Sequence, residues 1–493
     1  MTSTTHITAI AVTGVYLVVT LLIGVVLSRR NSNVDQYMVA GRSLGFIAVG
    51  FVLMSEFLGL GSTVGTAEFA YQHGVGAAWQ LVSIAIALIL FAFWIAPRYR
   101  AHTESTVSGI VNREYGPTAR RLTSVMMVYA LLSVSCALYA GGTATLVPIL
   151  GVPRWVALLI VAGVTVAYLM LGGMRAVAIT NVLDALMILV GTGLTAVIGL
   201  IQVGGFKKLH SQLDPFMFDP TSMGWALIIA WFLANIGAIF ATQYIVQALA
   251  STTDKKTARR ASLVGAAAVL PVGFFATTAG MTAAVRFPGA NPSQTFGLWA
   301  AHTNPILGGL IVTGVGAAML GTIGAVTHAS TQLLSADFIP LITRRLRQPD
   351  SDRRNLRWAR GSNVLLALLP VPFVLLAPKI LELVFFARGV RASIAVVVVS
   401  ILLGAKRVHP VAVVSGLAVS VIASTAWYIA DSPWGVDEIY ISIGVPILSL
   451  TIGRILAHRR QPDNQLDPGQ TTTSRPCEEA ERTRLNGQSA REL

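Results

Sequence analysis

The sequence predicts an all-α polytopic membrane protein of about thirteen transmembrane helices. Of its 493 residues, 54% are hydrophobic and 12% are charged, which is about half the charged fraction of a typical soluble protein. Apolar runs of roughly 20 residues, each long enough to cross a bilayer, recur along nearly the whole chain. Mean hydropathy is +0.68, so a soluble globular class is excluded.

Length and apolarity divide the chain into thirteen predicted spans. They form one transmembrane domain over residues 1–457, and the polar tail over 458–493 is predicted to be disordered and cytoplasmic. Pro370, Pro372 and Pro378 interrupt the tenth span. The predicted limits are 7–28, 45–70, 75–97, 121–148, 154–172, 177–203, 223–250, 262–286, 304–337, 361–378, 380–404, 409–430 and 437–457.

Lysine and arginine set the predicted orientation of the spans. With the N-terminus outside, the inside segments contain 29 of the 36 basic residues and the outside segments contain five. This bias predicts an outside N-terminus and an inside C-terminus. It also accounts for the net charge of +14 without nucleic acid as a partner, because inside basic segments contact anionic membrane lipid. We therefore expect a multi-pass protein of the plasma (inner) membrane.

The sequence offers no sign of an enzyme or of a cofactor site. Its two cysteines, Cys136 in an apolar run and Cys477 in the tail, form neither a disulfide framework nor a metal site. No P-loop motif is present, so ATP-driven transport by this chain alone is not expected. We expect no catalytic residues and no cofactor other than a coupling ion.

Five charged residues stand out among those in the predicted spans, where a charge costs several kcal/mol and needs a reason. Glu56, near the middle of the second span, either contacts an ion or substrate in a cavity or is a buried structural acid. Glu68 either serves the same cavity or lies at the interface. Asp184 either supports an ion site as a neighbouring polar group or is an interfacial acid. Arg388 and Arg391 share a helix face and either hold an anionic substrate, pair with Glu56 or Glu382, or form a structural clamp.

The stretch LMSEFLGLGS, over residues 53–62, places Gly59 and Gly61 at mid-membrane. Glycine lowers helix propensity, and unwound backbone at that depth is tolerated where it lines a cavity or is buried in protein. Discontinuous helices of this kind bind substrate and coupling ions in secondary transporters. A packing face for a close helix is the alternative, but it leaves Glu56 unexplained. We therefore predict a helix break.

A counterpart to this break is expected in the second half of the chain. The span over 223–250 starts five spans later, which fits two inverted five-helix repeats at about 45–203 and 223–404. An odd number of spans in each repeat gives the two repeats opposite orientations. The polar residues and the glycine that mark the second span are Asn235, Gly237, Thr242, Gln243 and Gln247.

Five segments that follow one another along the chain resemble the sodium:solute symporter family. The resemblance covers residues 7–430 and implies thirteen helices, a leucine-transporter-like inverted-repeat core and solute uptake driven by the sodium gradient. The segments are DQYMVAGRSL (35–44), GSTVGTAEFAYQHG (61–74), AYLMLGGMRAVAITNVLDALMILVG (167–191), ATQYIVQALAS (241–251) and GAAMLGTIGAVTHASTQLLSADFI (316–339).

The resemblance implies a sodium site made of backbone carbonyls at the first break and of carbonyl and hydroxyl oxygens from the ninth span. Oxygen ligands suit a hard cation. This chain departs from the family pattern there, since Gly321 stands where a second hydroxyl residue is usual. Asn181 and Asp184 stand where Asp and Gln are usual, and Ala248 where Arg is usual. The implied ligands are Ser55, Leu58, Ala318, Gly321 and Thr322.

Two side chains are candidates to compensate for the hydroxyl that Gly321 lacks. Glu56 either supplies an oxygen ligand to sodium or carries a proton, so both sodium and proton stay open as the coupling ion. His328, two turns beyond Thr322, either assists or makes a hydrogen bond between helices.

Together these features predict a secondary active transporter that imports a small organic solute with a cation by alternating access. Arg388 and Arg391 favour an anionic solute such as a carboxylate. The alternatives are proton-coupled symport of an organic anion and a transporter-like sensor that binds solute and signals inside the cell. The residues expected near the solute are Glu56, Gly59, Gly61, Ser62, Tyr139, Trp231, Asn235, Gln243, Arg388 and Arg391.

Overall fold

The computed structural model describes residues 3–28, 44–101, 104, 106–170, 174–338, 352–375, 380–404 and 408–459. Within these ranges the regular elements are helices, and one isolated bridge joins Leu44 to Thr252. The α-helices are α1 (Ser3–Ser28), α2 (Phe46–Phe57), α3 (Leu60–His73), α4 (Trp79–Leu90), α5 (Ala96–Ala101), α6 (Val107–Leu150), α7 (Arg154–Met170), α8 (Met174–Val203), α9 (Phe206–Gln212), α10 (Trp225–Ala241), α11 (Gln243–Ala250), α12 (Lys255–Arg286), α13 (Thr295–Ala301), α14 (Pro305–Asp337), α15 (Asp352–Leu368), α16 (Val371–Val374), α17 (Ile380–Leu402), α18 (Pro410–Ile429) and α19 (Glu438–Arg459).

The all-helical class predicted from the sequence is confirmed. A helix or an interrupted helix falls on each of the thirteen predicted ranges. In the part of the chain that the structure describes, eight helical segments are long and apolar enough to cross a membrane, or nine if the bent pair α10 and α11 is one span. The number of thirteen spans, the outside N-terminus and the limits of the domain and repeats stay predictions. Residues 460–493 of the predicted tail lie outside the described ranges.

Glycine and proline account for the irregular helices. In α6, Gly116 has φ of +81° and is followed by Pro117. Glycine adopts this left-handed conformation without a Cβ clash, and proline suits the first position of the helix that resumes. The predicted span over 121–148 is therefore the second part of α6. In the tenth predicted span, α15 ends before Pro370 and the short α16 follows in the part up to residue 375 that the structure describes, as the prolines predicted.

Burial separates the central helices from the peripheral ones. In α14 and α17, 78% of the most apolar window is buried inside the protein, against 28% in α18 and 33% in α19. α14 packs against α8, α6 and α1, while α17 packs against α6 and α10. Side chains of α14 and α17 therefore have protein on most sides, whereas α18 and α19 expose theirs.

Candidate functional site

The first break lies where the glycines predicted it. Helical structure stops at Phe57 and resumes at Leu60, with Leu58 and Gly59 between α2 and α3. Gly59 has extended backbone (φ −60°, ψ 172°), and its carbonyl accepts hydrogen bonds from the backbone N–H groups of Ser62 (2.8 Å) and Thr63 (3.0 Å). The interruption releases backbone carbonyls of the preceding turn from helical hydrogen bonding, which makes them available as ligands.

Three of the five implied sodium ligands meet at one hydroxyl group of α14. Thr322 Oγ1 donates to the carbonyl oxygen of Ser55 on α2 (2.5 Å) and to that of Ala318 one turn earlier (2.9 Å). Gly59 permits this approach, because a Cβ built on it would lie 2.5 Å from Thr322 Oγ1. Leu58 is buried in the break beside them. Carbonyl and hydroxyl oxygens from both helices thus converge, and this donor set fits a hard monovalent cation.

Gly321 faces α8. A Cβ built on Gly321 would lie 3.0 Å from Asn181 Oδ1 and 3.0 Å from Asp184 Oδ2. Asn181 Nδ2 donates to Ser55 Oγ (3.1 Å), and Asp184 Oδ1 accepts from Tyr16 OH of α1 (2.6 Å). Asp184 is fully buried, so its carboxylate has protein and not solvent around it. Two polar side chains of α8 therefore lie against the place of the missing hydroxyl.

The second break lies at Thr242, where α10 and α11 are bent by 43°. Thr242 has extended backbone (φ −71°, ψ 132°) and is buried. Gln243 follows it and is held by neighbouring helices. Its Oε1 accepts from the backbone N–H of Val107 at the start of α6 (2.8 Å), and its Nε2 donates to Gln332 Oε1 on α14 (2.9 Å). The span predicted to mirror the first break is thus itself discontinuous.

The two arginines of α17 connect the two breaks. Arg388 Nη2 donates to Ser62 Oγ in the first turn of α3 (3.0 Å), and Arg391 Nη1 donates to Thr242 Oγ1 (3.2 Å). Arg391 Nε also donates to the carbonyl of Ala387 (3.1 Å). Both arginine side chains are only 1% exposed. One helix therefore carries a guanidinium group to each discontinuous span.

Aromatic side chains surround Arg388. Its guanidinium carbon lies 5.0 Å from the ring centroid of Phe385 and 5.9 Å from that of Phe57. Trp231 stacks on Phe385 with ring centroids 4.8 Å apart, and Phe69 meets Trp231 edge-on at 5.1 Å. This arrangement places a cationic group beside an apolar aromatic surface.

The other residues expected near the solute fall into two groups. Some lie at α17 near Arg388, and the others make contacts between other helices. Gly61 packs directly on α17, since a Cβ built on it would overlap Val384 Cγ2. Asn235 Nδ2 donates to Ser83 Oγ on α4 (2.6 Å), and Tyr139 OH donates to the carbonyl of Ala367 on α15 (2.8 Å). Ser62, Gly61, Trp231, Arg388 and Arg391 are thus gathered at α17, whereas the polar atoms of Asn235 and Tyr139 bond to other helices.

Glu56 and His328 are the two candidates to compensate for the hydroxyl that Gly321 lacks. Glu56 belongs to the last turn of α2, and its side chain lies outside the described residues. His328 Nδ1 lies 3.4 Å from Asn363 Nδ2 on α15 and is buried. This contact supports the hydrogen bond between helices rather than a role at Thr322. Glu68 is half-buried on α3.

Three neighbours of the site were missed from the sequence. Gln80 on α4 is fully buried and donates through Nε2 to Ser62 Oγ (3.3 Å). A glutamine in the otherwise apolar span 75–97 is a signal that would have found it. Phe385 and Phe57 carried no such signal, because an aromatic residue in an apolar span is most often packing.

The sequence profile of the Sodium:solute symporter family matches residues 37–418, more than half of the chain. The chain belongs to the sodium:solute symporter family. This confirms the resemblance and places the protein among transporters of a family whose members couple solute movement to sodium.

Named relatives of this family member are themselves symporters or transporters. The High-affinity proline transporter PutP of Bacillus subtilis is 27% identical over 66% of this chain and 72% of its own length. The Sodium/proline symporter of Haemophilus influenzae is 23% identical over 91% and 94%, and the Sodium/pantothenate symporter of Escherichia coli is 24% identical over 75% and 79%.

Solved structures agree on the fold. A Na+-coupled sialic acid symporter in a substrate-bound outward-open state has a TM-score of 0.77 at 20% identity, over 93% of this chain and 99% of that one. Mhp1, a nucleobase-cation-symport-1 family transporter, has a TM-score of 0.56 at 14% identity, over 86% and 95%. At these identities the likeness establishes the leucine-transporter-like fold of this sodium:solute symporter family member.

Proposed function

We propose that the protein imports a small organic anion together with sodium by alternating access. The observation that carries the proposal is the position of Arg388, which donates to Ser62 at the first break and lies beside an aromatic surface. A guanidinium group presents its donors in a planar fork that matches a carboxylate. Charge-assisted bidentate pairs of this kind are among the stronger hydrogen-bonded contacts in proteins.

The aromatic residues suit the remainder of such a solute. Trp231 and Phe385 are stacked and nearly fully buried, and a small-molecule site usually combines apolar and aromatic walls with a few polar groups that fix orientation. In this arrangement the carboxylate of the solute faces Arg388 and its carbon skeleton lies along the two rings. Relatives named for proline and pantothenate, and a neighbour named for sialic acid, concern solutes that are carboxylic acids.

The sodium ion is assigned to the oxygens at the first break. Ser55, Leu58 and Ala318 would supply carbonyl oxygens and Thr322 a hydroxyl oxygen. Because the same break leads through Ser62 to Arg388, occupancy by sodium fixes the backbone that positions the solute site. The ion and the solute would therefore stabilise the same conformation, so each would raise the affinity of the protein for the other. This is the physical basis of coupled binding.

A thermal-shift screen of solutes, with and without sodium, tests the proposal directly. The full-length protein is purified in detergent, and unfolding is followed with a panel of matched anionic, neutral and cationic small solutes in sodium or choline chloride. We expect stabilisation by one or more organic anions, larger in sodium. Glu56→Gln is included to ask whether the acid at the break takes part in either response.

Uptake by proteoliposomes then separates transport from sensing. An inward sodium gradient should drive accumulation of the solute found in the screen, and collapsing that gradient should abolish accumulation. Binding without flux would favour a sensor. Accumulation that follows an imposed proton gradient and ignores sodium would instead favour proton-coupled symport.

A further inference from the structure

We propose that Ser442 of the peripheral helix α19 positions Arg388 and Arg391, because its contacts fix the rotation of α17. This inference rests on the proposed function, in which Arg388 contacts the carboxylate of the solute, and deepens it by naming what directs the arginines. Ser442 lies after both predicted five-helix repeats, at about 45–203 and 223–404. The proposal therefore gives a helix from outside these repeats a part in solute binding.

Two faces of α17 meet different neighbours. Arg388 and Arg391 share the face that reaches the two breaks. Gly389 and Ser393 are four residues apart and share another face, which lies about 150° around the helix axis from the arginines. Ser442 contacts both of them. The contact with Ser442 therefore determines how α17 is turned, and so where the arginine face points.

A proline makes the carbonyl of Ser442 available to other helices. Pro446 lies inside α19 and has no backbone N–H, so the carbonyl four residues earlier lacks its helical donor. Ser393 Oγ lies 2.8 Å from this carbonyl oxygen, and Ser420 Oγ of α18 lies 3.0 Å from it. The two hydroxyls are 2.8 Å apart, and all three serines are buried. Since a hydroxyl has one proton, one serine donates to the carbonyl and the other completes the cluster, which joins three helices.

The side chain of Ser442 fits against Gly389 of α17. A Cβ built on Gly389 would lie 3.1 Å from Ser442 Oγ, which is closer than ordinary van der Waals contact, and 3.7 Å from Ser442 Cβ. Ser442 Oγ is buried, and among the described residues it has no hydrogen-bond partner. An unpaired buried hydroxyl is unfavourable, so the contact of this oxygen is steric. It fills the space that Gly389 leaves on α17.

The arginine contacts are sensitive to the rotation of α17. Arg388 donates to Ser62 at 3.0 Å and Arg391 donates to Thr242 at 3.2 Å. Hydrogen bonds weaken as the distance grows and the angle departs from linear. Because both arginines lie on one face, a small turn of the helix changes both contacts together. The same turn moves the guanidinium fork of Arg388 away from the direction in which it would meet a carboxylate.

A pair of compensating substitutions tests the positioning without any solute. Gly389→Ala adds the methyl group that meets Ser442 Oγ, and Ser442→Ala removes that oxygen, so the double variant returns to an ordinary contact of 3.7 Å. Trp231 stacks on Phe385 of α17 with ring centroids 4.8 Å apart. The 19F resonance of 5-fluorotryptophan at Trp231, identified by its loss in Trp231→Phe, therefore reports the setting of α17 in the full-length protein. We expect it to shift in Gly389→Ala, to shift less in Ser442→Ala, and to return to the wild-type position in the double variant.

Solute affinity of the same variants links the positioning to the proposed function. The probe is the organic anion that stabilises wild type in the thermal-shift screen. We expect its affinity to fall at least about threefold in Gly389→Ala and to recover in the double variant. Sodium affinity, measured from the sodium-dependent rise in unfolding temperature, should stay within about twofold of wild type. A merely structural lesion would instead weaken both ligands alike, and that result would overturn the proposal.

Ser393→Ala removes the hydroxyl by which α17 reaches the carbonyl of Ser442. Ser424→Ala is the matched control, since Ser424 of α18 is also buried but donates within its own helix, to the carbonyl of Val421 (3.3 Å). We expect the Trp231 resonance to shift in Ser393→Ala and to stay in place in Ser424→Ala.

Two results of the 19F measurement would overturn the proposal. One is a Trp231 resonance that stays in place in both Gly389→Ala and Ser393→Ala, and the other is a shift in Gly389→Ala that the double variant does not reverse. Should Gly389→Ala not fold, the comparison of Ser393→Ala with Ser424→Ala decides the question alone. If wild type binds no organic anion, the proposed function fails, whereas the 19F signal still decides the positioning, so the two failures are distinct.

Discussion

Arg388 Nη2 donates a 3.0 Å hydrogen bond to Ser62 Oγ. This contact joins the middle of α17 to the first turn after the break in the second predicted span. Ser62 also accepts from Gln80 Nε2 (3.3 Å), so its hydroxyl oxygen is shared by two donors of different charge. In the proposed function, a solute carboxylate at Arg388 would offer this guanidinium group a charged acceptor in addition to the neutral hydroxyl of Ser62.

Replacing Arg388 should therefore weaken solute binding while leaving the structure of the ion site largely unchanged. We expect Arg388→Gln to weaken binding of an organic anion at least about tenfold, since a hydrogen bond to a charged group is typically the stronger kind. Ser62→Ala is the control, because it removes the neutral partner and keeps the guanidinium. Titration of the solute against unfolding temperature measures both. Unchanged solute affinity in a folded Arg388→Gln would rule out this arginine as the anion contact.

The glycines of the first break should be intolerant of a methyl group. A Cβ on Gly59 would lie 2.5 Å from Thr322 Oγ1, and one on Gly61 would overlap Val384. We expect Gly59→Ala and Gly61→Ala each to destabilise the protein by about 1–3 kcal/mol through overpacking. Gly163 lies in α7 with open space around its Cβ position, so Gly163→Ala should be neutral or stabilising by up to about 1 kcal/mol. Unfolding temperatures of the three variants in one detergent provide the comparison, and equal values would contradict it.

These glycines show which features of the site could be predicted from the sequence. Helix propensity and an acid at mid-membrane were enough to predict the break, because backbone unwinding depends on local residues. The family resemblance placed Thr322 at the same break as Gly59. Val384 was not predictable, since it meets Gly61 only through the packing of helices far apart in the chain. The contact of Tyr16 with Asp184 was missed for the same reason. It joins residues 168 positions apart, and a tyrosine in an apolar span gives no sign of its partner.

Thr322→Ala should separate ion affinity from solute affinity. The substitution removes the hydroxyl that contacts the carbonyls of Ser55 and Ala318 and leaves the surroundings of Arg388 intact. We expect the sodium concentration for half-maximal uptake to rise several-fold, with a smaller change in the solute concentration for half-maximal uptake measured at saturating sodium. Thr322→Ser keeps the hydroxyl and should resemble wild type. Equal losses of both affinities in a normally expressed Thr322→Ala would speak against a ligand role.

Asp254 should give the stability of the start of α12 a defined dependence on pH. Its carboxylate accepts from the backbone N–H of Thr257 (2.8 Å) and from the hydroxyls of Thr257 and Thr253. These hydrogen bonds lower the pKa of Asp254 to about 2. A lowered pKa in the folded state means that the contribution is present above the ordinary carboxyl pKa and is lost as pH falls toward 2.

The difference in unfolding temperature between wild type and Asp254→Ala should therefore be largest near neutral pH and shrink as pH falls below about 4. Asp254→Asn retains a capping side chain without a charge, so its own difference from Asp254→Ala should not vary with pH. A wild-type advantage that is constant between pH 7 and pH 3 would show that the capping carboxylate is not the source.

The arginine pair of α17 also has an evolutionary consequence. Since one helix turn contacts Ser62 at the first break and Thr242 at the second, the two breaks are not free to diverge independently. A change at either hydroxyl alters the hydrogen bonds, and so the positions, of the same pair of guanidinium groups. Substitutions in the first half should therefore show epistasis with substitutions in the second, and suppressors of a lesion at Ser62 should be sought around Thr242, 180 positions away in the sequence.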